Sequence, residues 1–190
     1  MSKLYFRHGT MGAGKSAHLI IAAHNYIDRG MYPMLFTYNG DNRFGGSGTI
    51  ASRTGMKMSA RTFEYDDNFC NMLRMKQIEL GKLPDAIFVD EAQFLTTEQV
   101  EQLHGIAANW GIPVLCYGLR VDFLGRLFEG SAALFSHAED WEEMKTICRC
   151  GKKATHVARF VDGIKQTEGQ TIQIGDSEYE SMCYTCYTSA

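Results

Sequence analysis

The sequence of 190 residues predicts an α/β fold in which a mainly parallel sheet is flanked by helices. Three observations support this prediction. Short apolar runs alternate with segments of helical periodicity, as in chains that build a parallel sheet from strand–helix units. A glycine-rich motif stands between the first apolar run and the first helical segment. A later apolar run ends in two adjacent carboxylates, and open α/β sheets bind ligands at such strand ends.

The glycine-rich motif has the spacing G-x-x-x-x-G-K-S/T, which is typical of a phosphate-binding loop. It follows an apolar strand predicted at 4–6 and precedes a helix predicted over 17–29. In such a loop the glycines let the backbone approach a phosphate chain, and backbone N–H groups and the helix N-terminus attract the anion. An ordinary glycine-rich turn is the alternative, which the flanking elements disfavour. The predicted loop residues are Gly9, Thr10, Met11, Gly12, Ala13, Gly14, Lys15 and Ser16.

The remaining elements continue the alternation of strands and helices. Predicted strands cover 33–38, 86–89 and 113–117, and predicted helices cover 69–80, 96–110 and 127–135. Thr96 and Gln99 have the spacing of a capping box, in which the side chain of each residue bonds the backbone N–H of the other. We therefore expect a helix to begin at this pair.

The strand predicted at 86–89 ends in Asp90 and Glu91. In a protein with a phosphate-binding loop, an aspartate at this place completes the Mg²⁺ site, so we expect Ser16 and Asp90 to hold the ion beside Lys15. Glu91 is a candidate general base, which would accept a proton from an attacking hydroxyl group or water molecule. An acidic cluster that only stabilises a helix N-terminus is the alternative.

The chain changes character near Met144, where strands become short and helical periodicity is lost. We predict a nucleotide-binding domain over 1–143 and a small zinc-binding domain over 144–190. A C-x-C pair and a C-x-x-C pair supply four thiolates for a tetrahedral structural Zn²⁺. Disulfides are the competing interpretation, and they are disfavoured in a cytosolic enzyme. The predicted zinc ligands are Cys148, Cys150, Cys183 and Cys186.

The 19 basic and 22 acidic side chains give a formal net charge of −3. The chain therefore lacks the overall positive field that drives non-specific binding to nucleic acid. It contains no apolar run long enough to cross a bilayer, and its N-terminus enters a strand directly, without the pattern of a secretion signal. We expect a cytoplasmic protein that binds neither nucleic acid nor membranes.

Four features stand in one order along nearly the whole chain. They are the phosphate-binding loop, the run Val-Asp-Glu-Ala-Gln-Phe at 89–94, the run Tyr-Gly-Leu-Arg-Val-Asp-Phe at 117–123, and the terminal cysteines. This combination resembles the cytosolic (type II) thymidine kinase family. The resemblance implies a RecA-like P-loop domain with a small zinc-binding lasso domain. It also implies transfer of the γ-phosphoryl group of ATP to the 5′-hydroxyl of thymidine, by a homotetramer under feedback inhibition by thymidine triphosphate (dTTP).

The resemblance assigns roles to residues by their positions in these motifs. Glu91 matches the family's general base. Arg43 matches an arginine that lies beside the phosphates, although a solvated loop charge would be the preferred interpretation without the family match. The positions assigned to ATP and Mg²⁺, in addition to the loop, are Asp41, Arg43, Asp90 and Gln93.

The resemblance also assigns a nucleoside site. Backbone groups of a loop in the lasso domain would read the edge of the thymine base, and the zinc site would anchor both ends of that loop. Each aromatic residue taken singly is equally well explained as part of the core. The aromatic wall is assigned to Phe94, Phe123 and Phe128, the pocket for the thymine 5-methyl group to Met11, Leu119 and Tyr179, and the closing loop to Thr171, Ile172, Gln173 and Ile174.

Two other functions stay open on the sequence alone. An ATPase with a zinc ribbon that acts on nucleic acid would share the phosphate loop, and residues 90–93 superficially resemble the acidic box of helicases. The length leaves no room for a second motor domain, and the acidic balance disfavours nucleic acid as a partner. A regulatory nucleotide-binding module without turnover is less compatible with the intact set of Lys15, Ser16, Asp90 and Glu91.

Overall fold

The computed structural model describes residues 2–40, 48–169 and 178–190. Within these ranges no helix is long and apolar enough to cross a bilayer. The strands are β1 (Leu4–His8), β2 (Pro33–Tyr38), β3 (Thr49–Ala51), β4 (Lys57–Ser59), β5 (Arg61–Phe63), β6 (Ala86–Val89), β7 (Val114–Gly118), β8 (Asp140–Glu143), β9 (His156–Val161), β10 (Ile164–Lys165) and β11 (Glu178–Met182). The helices are α1 (Lys15–Ile27), α2 (Phe69–Leu80), α3 (Thr97–Trp110), α4 (Glu129–His137) and α5 (Tyr184–Ser189), with a 3-10 turn over Ala92–Phe94.

Six parallel strands form the central sheet in the order β5-β2-β6-β7-β1-β8. This confirms the predicted mainly parallel sheet with flanking helices. The strand β7 lies between β1 and β6, so the segments that follow β1 and β6 leave the same edge of the sheet two strand spacings apart. Because neighbouring strands lie about 4.8 Å apart, these two segments begin roughly 10 Å from each other.

Both faces of the sheet are covered, which explains why the inner strands β2, β6 and β7 read as mainly apolar runs. Alternate side chains of one strand enter different cores. Phe36 on β2 and Val89 on β6 pack in the larger core with residues of α2, α3 and α4. Leu35 and Phe88, their neighbours in the chain, pack on the opposite face with α1 and β3.

The two edge strands were not predicted, because neither contains an apolar run. The strand β5 has three residues, and β8 reads Asp-Trp-Glu-Glu. Backbone pairing with β1 holds β8 in place, together with Arg7, whose Nη1 lies 2.5 Å from Oδ1 of Asp140. Charged residues on an edge strand also discourage pairing with other chains.

The capping box at the start of α3 is confirmed. Oγ1 of Thr96 accepts a hydrogen bond from the N–H of Gln99 at 3.2 Å, and Oε1 of Gln99 accepts one from the N–H of Thr96 at 3.1 Å. The next helix begins at Glu129, two residues later than predicted. Oδ1 of Asp122 accepts two backbone N–H groups and thereby holds the preceding residues in a turn.

The first turn of α4 packs directly on the 3-10 turn that follows β6. A Cβ atom on Gly130 would lie 2.6 Å from the carbonyl oxygens of both Ala92 and Leu95, so only glycine permits this approach. Real Cβ atoms need more than about 3 Å from a carbonyl oxygen, as expected for close-packed interiors. The contact matters for the site because the 3-10 turn carries the residues next to the carboxylate pair.

The C-terminal residues build a second, antiparallel sheet in the order β10-β9-β11, with a small apolar cluster of its own. Helix α5 follows this sheet and begins after Cys183, whose Sγ accepts the N–H of Cys186. Periodicity did not indicate α5, because a helix of six residues is too short to show a helical pattern. The domain boundary between 143 and 144 stays a prediction.

We expect Gly130→Ala to lower the free energy of unfolding by about 1–3 kcal/mol, because the new methyl group overlaps two carbonyl oxygens. Gly105→Ala is a matched control on α3. A Cβ there meets Nδ2 of Asn109 at an ordinary 3.8 Å, so this variant should gain about 0.5–1 kcal/mol through better helix propensity. Urea unfolding measures both. Equal responses at the two positions would contradict the described packing of α4.

Candidate active site

The phosphate-binding loop connects β1 to α1, as the motif predicted. The N–H of Gly9 bonds the carbonyl oxygen of Gly118 at 3.2 Å, which ties the start of the loop to the end of β7. Gly14 has φ 77° and caps the N-terminus of α1. The ammonium group of Lys15 bonds the carbonyl oxygen of Thr10 at 2.9 Å. The ammonium group of Lys15 therefore lies against the loop, where a bound phosphate chain would also lie.

The first glycine of the motif has a packing role as well. A Cβ on Gly9 would lie 2.4 Å from the carbonyl oxygen of Met144, the residue that follows β8. The N–H of Met144 in turn donates to the carbonyl oxygen of His8 at 2.7 Å. The segment that follows β8 thus packs against the start of the phosphate-binding loop.

The carboxylate pair lies at the carboxyl end of β6. The side chain of Asp90 is buried, with 5% of its surface exposed. Glu91 has φ 52° and ψ 36°, the left-handed region, which costs a non-glycine residue roughly 1–2 kcal/mol. Such a strained backbone persists only where the surrounding structure holds it, and it is frequent at active sites. In an extended strand, consecutive side chains point to opposite faces. The turn at Glu91 breaks this alternation, and both carboxylates line one cavity.

One cavity of about 190 Å³ brings the two motifs together. Residues of the phosphate-binding loop line it together with Asp90, Glu91 and Leu119. Residues 49–54 of the β3–β4 hairpin complete the lining that concerns the site. The sequence-predicted residues that line this cavity are Met11, Gly12, Gly14, Lys15, Ser16, Asp90, Glu91 and Leu119.

The hairpin side of the cavity was missed by the sequence analysis. Its strands have three residues each and carry no motif. Arg53 lies at its tip, and its Nη1 is 3.5 Å from the point that a Cβ on Gly12 would occupy. A guanidinium group at this place adds positive charge above the phosphate-binding loop. An arginine in a polar turn was the only available signal, and it is too common to identify a site.

Gln93 was assigned to the ATP site, but its side chain does not line the cavity. It is buried, with 2% of its surface exposed. Its Nε2 donates a hydrogen bond to Oε2 of Glu91, and its Oε1 accepts one from the N–H of Leu119 at 2.9 Å. The structure therefore places Gln93 behind the carboxylate, between Glu91 and β7.

The predicted aromatic wall divides into two places. The ring of Phe94 lies 4.7 Å from that of Tyr38 and 5.8 Å from that of Phe128, so these rings form one cluster. Phe123 contacts the C-terminal sheet instead, because the guanidinium carbon of Arg159 lies 3.9 Å from the centre of its ring. Arg159 pairs across the sheet with Tyr179 of β11.

The C-terminal sheet also reaches the phosphate-binding loop. Oγ of Ser181 on β11 donates a hydrogen bond to the carbonyl oxygen of Met11 at 2.7 Å. Nη2 of Arg120 donates to the carbonyl oxygen of Thr155 at 3.0 Å. These contacts connect both predicted domains at the site.

The four predicted zinc ligands come together, with all four sulfur atoms within 4.8 Å of one another. Tetrahedral zinc with four thiolates at about 2.3 Å places its sulfurs about 3.8 Å apart, so small side-chain adjustments suffice. The six cysteines all lie in the described ranges and form no disulfide. Backbone N–H groups of Cys150 and Cys183 lower the pKa of Cys148, whereas contacts with the neighbouring thiols raise the pKa of Cys186.

Several assigned positions lie outside the described residues. They are Asp41, Arg43, Thr171, Ile172, Gln173 and Ile174. Their assignments stay predictions.

The phosphate-binding loop and the carboxylate pair face one cavity at the edge of a parallel sheet, and this arrangement defines a P-loop protein of the phosphoryl-transfer class. A family model for thymidine kinase matches residues 2–187. The chain belongs to the thymidine kinase family.

Individual relatives agree with the family match. Proteins named thymidine kinase from Ruegeria pomeroyi, Mesorhizobium japonicum and Aliivibrio fischeri are 50%, 47% and 42% identical to this chain. The alignments cover 96%, 96% and 100% of this chain and 92%, 89% and 98% of those relatives. The similarity therefore extends over both predicted domains.

Proposed function

We propose that this protein transfers the γ-phosphoryl group of ATP to the 5′-hydroxyl of thymidine, giving thymidine monophosphate and ADP. The observation that carries this proposal is the single cavity shared by Lys15, Ser16, Asp90 and Glu91. Phosphoryl transfer requires little covalent chemistry from the protein, so catalysis depends on position and on charge stabilisation. These four side chains are suited to position the reactants and to stabilise charge.

The loop side of the cavity binds the phosphates. Backbone N–H groups of the loop and the N-terminus of α1 face the anion, and Lys15 exchanges its bond to the loop carbonyl for bonds to phosphate oxygens. Ser16 and Asp90 are the residues that would hold Mg²⁺, an ion that neutralises charge on the phosphates. We place Arg43, with Asp41, beside the same phosphates on the family resemblance.

The carboxylate side of the cavity activates the acceptor. Glu91 accepts the proton of the 5′-hydroxyl as the oxygen bonds to the γ-phosphorus, and the bond between that phosphorus and the bridging oxygen breaks to release ADP. The left-handed backbone of Glu91 supports this role, because it directs the carboxylate into the cavity beside Asp90. Water must be excluded for transfer to thymidine to prevail over hydrolysis.

The nucleoside would lie between the two aromatic groups described above. Phe94 and Phe128 supply one wall, Met11 and Leu119 line the cavity beside the loop, and Phe123 with Tyr179 lies toward the C-terminal sheet. Residues 171–174 would close over the base on the family resemblance. Aromatic faces and a few backbone groups are suited to bind a pyrimidine ring.

ADP release in the presence of ATP and Mg²⁺, measured across a panel of nucleosides, tests the proposal. We expect thymidine to stimulate ADP release and thymidine monophosphate to form in equal amount. Deoxyadenosine, deoxyguanosine and deoxycytidine should give little product. Stimulation by DNA without a response to thymidine would reject the proposal in favour of an ATPase that acts on nucleic acid.

The four cysteines are proposed to hold one structural Zn²⁺. Such a site contributes free energy of folding directly to a small unit with a limited core. Cys183 and Cys186 begin α5, two to five residues after Ser181, which bonds the phosphate-binding loop. The metal would therefore stabilise the contacts of the C-terminal sheet with the site as well as the loop at 171–174.

We expect about one zinc ion per chain in the wild type and its loss in Cys183→Ser or Cys186→Ser. The variants should show a raised KM for thymidine, because the segment that closes over the base loses its anchor. Cys70→Ser is the control, since Cys70 lies on α2 outside the cluster. Elemental analysis and reaction with a thiol reagent are the measurements. Wild-type protein without metal and with four reactive thiols in the cluster would refute the assignment.

Three further properties are proposals that rest on the family resemblance. They are a homotetramer, feedback inhibition by dTTP and a cytoplasmic location. Exposed apolar side chains on α1 and on α2, which cover opposite faces of the sheet, are candidate contacts between chains, among them Ile21, Ile27, Met75 and Ile78. A nucleotide such as dTTP carries both a thymine base and a phosphate chain, so it suits both halves of the cavity.

A further inference from the structure

The buried side-chain amide of Gln93 both donates and accepts a hydrogen bond in the site. A glutamine amide has one acceptor end and one donor end. Oε1 accepts the N–H of Leu119 at 2.9 Å, and this leaves the donor Nε2 facing Oε2 of Glu91. The opposite orientation would place Oε1 against a carboxylate oxygen and Nε2 against an N–H group. The hydrogen-bonding partners therefore determine which end faces Glu91.

We propose that Gln93 is a positioning residue for catalysis, which fixes the carboxylate of Glu91 and couples it to the backbone of Leu119 in the nucleoside pocket. This inference rests on the proposed function, because it gives Glu91 the role of general base. The assignment of Gln93 to the ATP site stays a prediction beside this inference. Among the described residues, those that line the cavity do not include Gln93.

A hydrogen bond to the carboxylate of Glu91 matters for catalysis because a glutamate side chain is intrinsically flexible. A glutamate has three rotatable side-chain bonds, and a base displaced by about 1 Å can lose about a hundredfold in rate. The N–H···O bond from Gln93 constrains the carboxylate of Glu91, and Glu91 also lines the cavity. A buried amide is suited to this task, since it carries no charge that would compete for the proton.

Gln93 is itself held in place from two directions. It lies in the 3-10 turn that packs on the first turn of α4. Its partner Leu119 is fixed by a second contact, because Oγ of Ser131 on α4 donates to the carbonyl oxygen of Leu119 at 2.5 Å. The amide thus spans two elements that hold each other, and its position does not depend on a mobile surface group.

The link to Leu119 has a consequence for the substrate. Leu119 lines the cavity with its side chain and bonds Gln93 with its N–H. A nucleoside that packs well against Leu119 keeps this N–H, the amide and the carboxylate in line. A base that packs poorly against Leu119 would displace the same three groups. A change of base should therefore alter kcat more than it alters the affinity for the nucleoside.

Two substitutions separate the functions of the amide. Gln93→Met keeps the length of the side chain and removes both polar ends. Gln93→Glu keeps the acceptor for Leu119 and removes the donor to Glu91. We expect both variants to lower kcat by between about tenfold and a hundredfold, with the KM for ATP changed by less than about twofold. A parallel rise in the KM for ATP would return Gln93 to the ATP site and overturn the inference.

Gln99→Met is the matched control for loss of stability. Gln99 is equally buried, with 1% of its surface exposed, and its amide bonds backbone groups of residues 64, 67 and 96 away from the cavity. We expect Gln99→Met to lower the melting temperature while leaving kcat within about twofold, since it removes only structural bonds. A similar fall of kcat in both methionine variants would reduce Gln93 to a structural role.

A double-mutant cycle with Glu91→Gln shows whether Gln93 acts through the carboxylate. If it does, Gln93→Met should cost less than about threefold in kcat once Glu91 is replaced, because residues that act as one unit are not additive. Full additivity of the two substitutions would overturn the inference. The wild-type protein tests the proposed function separately. If it shows no thymidine-dependent turnover, the proposed function is rejected without reference to the Gln93 variants.

Discussion

The distance between the ends of β1 and β6 is the constraint on which the site depends. A parallel sheet with one intervening strand sets this distance at roughly 10 Å. The phosphate-binding loop leaves β1 and the carboxylate pair leaves β6, so residues of both segments line the same cavity. A direct β1–β6 pairing would bring Asp90 against the loop, and a second intervening strand would separate them too far for one ion.

The rest of the chain holds these two segments rigid at that distance. The carbonyl oxygen of Met144 supports the loop at Gly9, and α4 supports the 3-10 turn at Gly130. Each contact brings main-chain atoms together where a Cβ would not fit. The C-terminal sheet adds the hydrogen bond of Ser181 to the loop. A catalytic site built on such contacts is preorganised, and phosphoryl transfer depends on preorganisation more than on chemical groups.

Local patterns in the sequence were sufficient to predict part of the fold and of the site. The loop motif, the apolar run before Asp90 and the capping box at Thr96 are each encoded by neighbouring residues, and the structure contains all three elements. The strands β5 and β8, the hairpin with Arg53 and the position of Gln93 depend on pairing between distant segments. No local pattern carries that information, so the hydrogen bonds of Gln93 to Glu91 and Leu119 were visible only in the structure. The roles of Asp41, Arg43 and residues 171–174 stay predictions.

Catalysis is proposed to depend on Glu91, which takes the proton of the acceptor hydroxyl while the loop binds the phosphates. Single-turnover transfer by Glu91→Gln, with calorimetric binding of thymidine and ATP to the same preparation, tests it most directly. The amide keeps the shape of the side chain and does not accept the proton. We expect nearly unchanged dissociation constants and a fall of roughly a hundredfold or more in the transfer rate. Near-normal transfer would contradict the claim.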